Sequence, residues 1–230
     1  MNEKPPIMRR METMFVGPNS SVQNFSKRLP LTAAQYFKQV QDLMAGVPLQ
    51  AIEDIVQVLL KAFRDEKTIY VFGNGGSAAS ASHMVCDLHR LAAQNPGHRR
   101  IKAMALGDNG PIITACANDR GYQNVFSEQL RNFVQPGDVA FAISCSGESP
   151  NVLLGLRTAR EAGALTVALS GFDGSAMLRV CDICAVVPSE HVQMIEDVHH
   201  AMLHSISTVL ETRMHACYGG ALTMAAGHGN

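Results

Sequence analysis

Asp138-Val-Ala-Phe-Ala-Ile-Ser144-Cys145-Ser146-Gly147-Glu148-Ser149-Pro150 is the stretch on which the fold turns. Asp138 to Ser144 is an apolar run of strand length that ends in a polar turn. Ser149 suits a helix N-cap and Pro150 a first helical position, so a helix is expected from Pro150 to about Glu161. A strand that feeds a helix through a short polar turn is the building unit of an α/β sheet.

The same unit recurs on either side. Ile69 to Phe72 reads as a strand, Gly73-Asn74-Gly75-Gly76 as a turn, and Ser77 to about Leu91 as a helix. Ile101 to Leu106 is a second strand, followed by helical stretches at Pro111 to Ala117 and Tyr122 to Phe133. Beyond the opening stretch come a strand at Leu165 to Ser170, a short helix near Ser175 to Val180, a strand at Ile183 to Val187, and a long helix from about Val192 to Met214. Two helices precede the first strand. Thr32 to Ala45 has helical spacing, and in Leu49 to Lys67 the residues Ile52, Ile55, Val56, Leu59, Leu60 and Phe63 form one stripe. The pattern predicts an α/β fold: a doubly wound, mostly parallel five-stranded sheet with helices on both faces, plus N-terminal helices. Residues 1–30 read as a flexible N-terminal extension, 31–217 as the domain, and 218–230 as a Gly/Ala-rich tail expected to fray.

Composition narrows the function. Of 230 residues, 47% are hydrophobic and 17% charged, which suits a packed domain rather than a disordered chain. A formal charge of −1 supplies no basic field for a nucleic-acid backbone. No apolar run reaches the roughly 20 residues that cross a bilayer, and the first 30 residues lack the apolar core of a signal peptide, so a cytoplasmic protein is expected. The six cysteines then read as reduced thiols, with Cys181-Asp-Ile-Cys184 as small buried residues rather than a metal or redox pair.

Parallel sheets bind ligands at the carboxyl ends of their strands, where both polar turns fall. The start of the helix at Pro150 offers free N–H donors and a partial positive charge. Ser144, Ser146 and Ser149 add hydroxyls, and Gly147 lets the backbone come close. A phosphate site follows, although the serines could also be plain cap and turn residues. The glycine spacings of a Rossmann or Walker loop are missing, so a phosphoester is favoured over a nucleotide. On the helix after Ser77, His83 and Asp87 stand four residues apart and share a face. Glu196, His200 and His204 form an i, i+4, i+8 ladder on the last helix. Either set could grip a divalent metal, or could be ordinary surface and hydrogen-bonding residues.

Ser144-x-Ser-Gly-Glu-Ser149 resembles the phosphate signature of sugar isomerase (SIS) domains. With Phe72-Gly-Asn-Gly-Gly-Ser77, Ala117-Asn-Asp119 and the final helix, the chain resembles the phosphoheptose isomerase branch over about residues 32 to 214. That resemblance implies a flavodoxin-like fold and a sugar-phosphate pocket lined by Asn74, Gly75, Gly76, Ser77, Asp119, Ser144, Cys145, Ser146, Ser149 and Glu196. It implies one zinc per subunit on His83, Asp87, Glu196 and His204, with Asp87 and His204 as acid and base. Asp87 stands where the family has Glu, and Glu196 where it has Gln. The family's other histidine on the last helix matches His199, which leaves His200 unmatched. The implied reaction converts sedoheptulose 7-phosphate to D-glycero-D-manno-heptose 7-phosphate, in a homotetramer whose subunits share active sites. The competing reading is a non-catalytic SIS protein that binds a phosphosugar or a replication-initiator partner; such relatives lack both the acid and the base.

Overall fold

The computed structural model describes residues 30, 32–93, 100–174 and 176–226, without the side chains of residues 92, 93 and 217–226. All but the last residue of the N-terminal extension therefore lie outside the described residues, as do the last four of the chain.

Five strands make one sheet: β1 Thr68–Gly73, β2 Lys102–Ala105, β3 Val139–Ser144, β4 Leu165–Ser170 and β5 Ile183–Val186. Their order is β2-β1-β3-β4-β5, and every pairing is parallel. The chain winds outward in one direction from β1 to β2 and in the other from β3 to β5. The β1/β3 boundary is thus the switch point where such sheets open a crevice. In register, Gly73 pairs with Ile143 and Ser144 with Ser170, so the loops after β1 and β3 leave the sheet side by side.

Alternation along each strand divides the core in two. Ile69, Val71, Val139, Phe141, Ile143, Val167 and Leu169 face one layer, under helices α1 (Ala33–Ala45), α2 (Leu49–Arg64), α3 (Gly76–Ala93) and α8 (Val192–Ala226). The expected stripe of α2, Ile52 through Phe63, is buried there. Tyr70, Phe72, Ala140, Ala142 and Ala168 face the other layer, under α5 (Ser127–Phe133), α6 (Pro150–Glu161) and the short α7 (Met177–Val180). Alanines on this face let α6 approach closely. A Cβ on Gly155 of α6 would stand 3.0 Å from the Phe72 ring, which packs on Phe126 with centroids 5.1 Å apart.

Three expected boundaries move. Helix α4 spans Gly110–Arg120 and ends at Gly121, whose φ of 86° few other residues adopt; Asn118 and Asp119 lie inside the helix. Tyr122 to Phe133 is not one helix but a 3-10 turn, Tyr122–Asn124, followed by α5. Helix α8 runs past Met214 to Ala226. Of the stretch expected to fray, the described residues up to Ala226 are helical, because alanine, Leu222 and Met224 favour helix more than Gly219 and Gly220 oppose it.

Candidate active site

The crevice at the switch point is lined by two helix starts. After β1, Gly75 turns the chain at φ 54° and α3 begins at Gly76. Gly73 is required by space: a Cβ there would fall 2.6 Å from the Ile143 carbonyl oxygen. Ser77 is buried in the first turn of α3, its Oγ 3.9 Å from Cys145 Sγ. After β3, Gly147 sits at φ 68° and donates its N–H to Ser144 Oγ (3.3 Å), while Ser146 Oγ accepts from Glu148 N (3.3 Å). Burial pushes the Cys145 thiol up, so it lines the pocket as a neutral group.

Ser149 occupies the N-cap position of α6, but its side chain makes no capping bond. Its Oγ lies 3.4 Å from Ser144 Oγ instead. The hydroxyl that residue type alone assigns to the helix is thus turned toward the serine loop. Asn74 is fixed from two sides. Its amide exchanges hydrogen bonds with the buried Asn151 (2.9 and 2.8 Å), and Tyr122 OH donates to Asn74 Oδ1 (3.0 Å). Neither Asn151 nor Tyr122 was singled out by sequence; only their positions after the two loops could have drawn attention to them. Asp119 is exposed on α4, where its carboxylate accepts from Asn118 Nδ2 (2.8 Å) rather than from the serine loop.

Along α3, one face turns toward α8. His83 Nε2 and His204 Nε2 are 3.3 Å apart, and Asp87 Oδ2 lies 3.8 Å from the first and 3.9 Å from the second. Around a tetrahedral zinc with bonds of roughly 2.0–2.1 Å, ligand atoms stand about 3.4 Å apart. The three separations lie within about 0.5 Å of that spacing, so these side chains fit a zinc ion. His200 joins them: donor atoms of His83, His200 and His204 all lie within 4.8 Å of one another. Burial, then the nearby His83 and His204, hold the His200 imidazole below its usual range, which favours the neutral, ligating form. Asp87 is more enclosed than either His83 or His204, with a side chain 16% exposed against 45% and 51%.

Glu196, expected among the ligands, points elsewhere. A Cβ on Gly76 would come within 3.0 Å of Glu196 Oε2, so the carboxylate rests on the first residue of α3. That is the positive end of the helix, where a carboxylate is favoured. It is also near Cys145, whose thiol it helps to push up. His199 is a core residue: Nε2–H donates to the Ser170 carbonyl (3.0 Å), Nδ1 is buried without a partner, and burial lowers its pKa to about 4. Tyr36 of α1 donates to Asp197 Oδ2 (2.5 Å), beside Glu196, and its phenol is pushed up to about 12 by burial and that carboxylate. Cys181 and Cys184 belong to the second core layer, and burial raises both thiols, Cys184 to about 12.

A model of the SIS domain family matches residues 35–171. The chain is 34% identical over 190 residues to the phosphoheptose isomerase of Trichlorobacter lovleyi, covering 80% of this chain and 95% of that protein. It is 37% identical over 176 residues to that of Geobacter sp. strain M21, covering 76% and 91%. Among solved structures, the phosphoheptose isomerase of Neisseria gonorrhoeae superposes with a TM-score of 0.72 at 26% identity, covering 78% of this chain and 96% of that one. On these matches the chain belongs to the SIS-domain family, in its phosphoheptose isomerase branch.

Proposed function

We propose that this protein is the aldose–ketose isomerase that converts sedoheptulose 7-phosphate to D-glycero-D-manno-heptose 7-phosphate. The observation that carries the reading is the His83–Asp87–His204 triangle beside a serine-lined crevice, in a chain whose relatives are named phosphoheptose isomerases. Ser77, Ser144, Ser146 and Ser149 bind the phosphate with the N–H donors at the starts of α3 and α6. Asn74, Gly75, Gly76, Cys145, Asp119 and Glu196 complete the sugar-phosphate pocket. Held by Asn151 and Tyr122, Asn74 presents its side chain in one orientation.

Asp87 and His204 carry the proton. One removes hydrogen from C1 of the ketose while the C2 carbonyl oxygen gains a proton, giving a 1,2-enediol. A proton then returns to C2 as the C1 hydroxyl gives up its own, and the aldose forms with no net change in composition. Zinc, one ion per subunit, would be held by His83, Asp87 and His204 and would supply Lewis acidity toward the sugar oxygens. The single-methylene side chain of Asp87 reaches the two histidines from within α3 and needs no longer carboxylate to do so.

The homotetramer with shared sites belongs to the same proposal. Its support is the apolar surface left bare on one subunit, with Phe37 70% and Leu49 73% exposed, and the open side of the histidine cluster. Among the described residues, no single helix is long and apolar enough to cross a membrane; we place the chain in the cytoplasm, which suits its free thiols. The test is incubation of purified protein with sedoheptulose 7-phosphate. Conversion to the aldose supports the reading, and phosphosugar binding without conversion replaces it with a non-catalytic SIS protein.

A further inference from the structure

The family resemblance assigns the fourth metal position to residue 196, whose carboxylate in this chain lies against Gly76. We infer that His200 is the fourth ligand and that Glu196 stands at the start of α3, outside the metal set. The inference rests on the isomerase reading above for the presence of a metal, but it concerns this chain's own residues.

Helix geometry carries the first part. His83 and Asp87 are an i, i+4 pair on α3, and His200 and His204 are an i, i+4 pair on α8. Residues at that spacing project from one face, and two histidines so placed on a helix grip a single zinc. Two such pairs on packed helices bring their donors into one neighbourhood. Donor atoms of His83, His200 and His204 already lie within 4.8 Å of one another, and the three rings stand edge-to-face at 4.6 to 5.1 Å. Asp87 Oδ2 lies 3.8 Å from His83 Nε2 and 3.9 Å from His204 Nε2.

Glu196 lies one further turn toward the N-terminus of α8, about 6 Å from His200 along the axis. Its carboxylate rests against Gly76, a residue without the Cβ that would block it. Joining the metal would take Glu196 away from the positive end of α3. Joining the metal costs His200 no comparable contact, because it already faces His83 and His204. The resulting set, three imidazole ligands and one carboxylate, would leave a bound zinc with net charge +1. With Glu196 in place of His200 that charge would be zero. A cationic centre polarises a sugar oxygen more strongly.

The test is metal binding without substrate, on full-length protein stripped of metal. Zinc affinity is measured by competition with a chromophoric chelator, and the ligand field by the visible absorption of the cobalt form. His200→Asn should weaken zinc at least ~10-fold and alter the cobalt spectrum, while Glu196→Gln should leave both within about threefold of the parent. His204→Ala and His83→Ala serve as positive controls, and circular dichroism melts of each variant, with His200→Gln as a second substitution, guard against misfolding. If the controls lose zinc, His200→Asn keeps it and Glu196→Gln loses it, the inference is overturned while the metal-isomerase reading stands. If the parent binds no zinc that His204→Ala abolishes, the inference and the metal in that reading fall together, whatever the turnover assay shows.

Discussion

Asp87 and His204 meet across the α3–α8 interface, with Oδ2 of the one 3.9 Å from Nε2 of the other. The two side chains come from helices far apart in sequence, Gly76–Ala93 and Val192–Ala226, and no local preference brings them together. The contact is made because α3 and α8 pack in one core layer through Met84, Leu88, Ile195, Met202 and Leu203. A proton donor and acceptor at this separation, on rigid elements, is what enediol chemistry needs. Replacing Asp87 by Asn keeps its shape and removes both its basicity and the charge it would offer a metal. The expected result is a fall in kcat of about 10²–10⁴-fold with KM changed little, read from initial rates.

Glu196 sets a second expectation. Its carboxylate lies on Gly76 and acts on Cys145, so it stands beside the serines that bind an anion. Repulsion between that charge and a bound phosphate weakens binding. Glu196→Gln should therefore tighten sugar-phosphate binding by at least about threefold, measured by isothermal titration with inorganic phosphate and with the phosphosugar. Weaker binding in the variant would mean that the carboxylate contacts the sugar hydroxyls directly.

Ser149 separates stability from binding. An N-cap serine replaced by alanine ordinarily costs about 1 kcal/mol. Here the side chain makes no capping bond and faces Ser144. Ser149→Ala should lower the unfolding free energy by less than about 0.5 kcal/mol while raising KM for the phosphosugar several-fold. A large stability loss with unchanged KM would return Ser149 to the role of a cap.

The buried thiols predict an alkaline effect. Burial holds Cys184 at about 12 against 9.0 for an ordinary thiol, and raises Cys181 also. Both thiols keep their protons in the folded state at pH values where an unfolded chain loses them. Stability is therefore complete below pH 9 and declines as pH rises from about 9 toward 12. Cys184→Ala should flatten that decline in urea melts taken at pH 8, 9 and 10. In native protein near pH 8, thiol reagents should modify the exposed Cys86 well before Cys184.

What the sequence disclosed and what it withheld divide along physical lines. The strands were legible because each is a compact apolar run bounded by glycine or polar turns, and the five of them imply a sheet buried on both faces. The serine loop was legible because its chemistry is local: Ser144 to Ser149 form the turn themselves. Side-chain direction was not. Glu196, His200 and His204 are equivalent on a helical ladder, and only the missing Cβ of Gly76, from another helix, draws Glu196 aside. Asn151 and Tyr122 were overlooked for the same reason, since their partner Asn74 is 77 and 48 residues away. Helix ends failed where propensity was finely balanced, as at Gly219 and Gly220, which α8 passes through.

The central claim is that one pair of residues, Asp87 and His204, moves a proton on a sugar held by the serine loop. Proton NMR of purified protein with sedoheptulose 7-phosphate tests it most directly. The account predicts growth of aldoheptose anomeric signals, lost in both Asp87→Asn and His204→Ala while phosphosugar binding persists. Unchanged conversion in those two variants, or binding with no conversion by the parent protein, would contradict it.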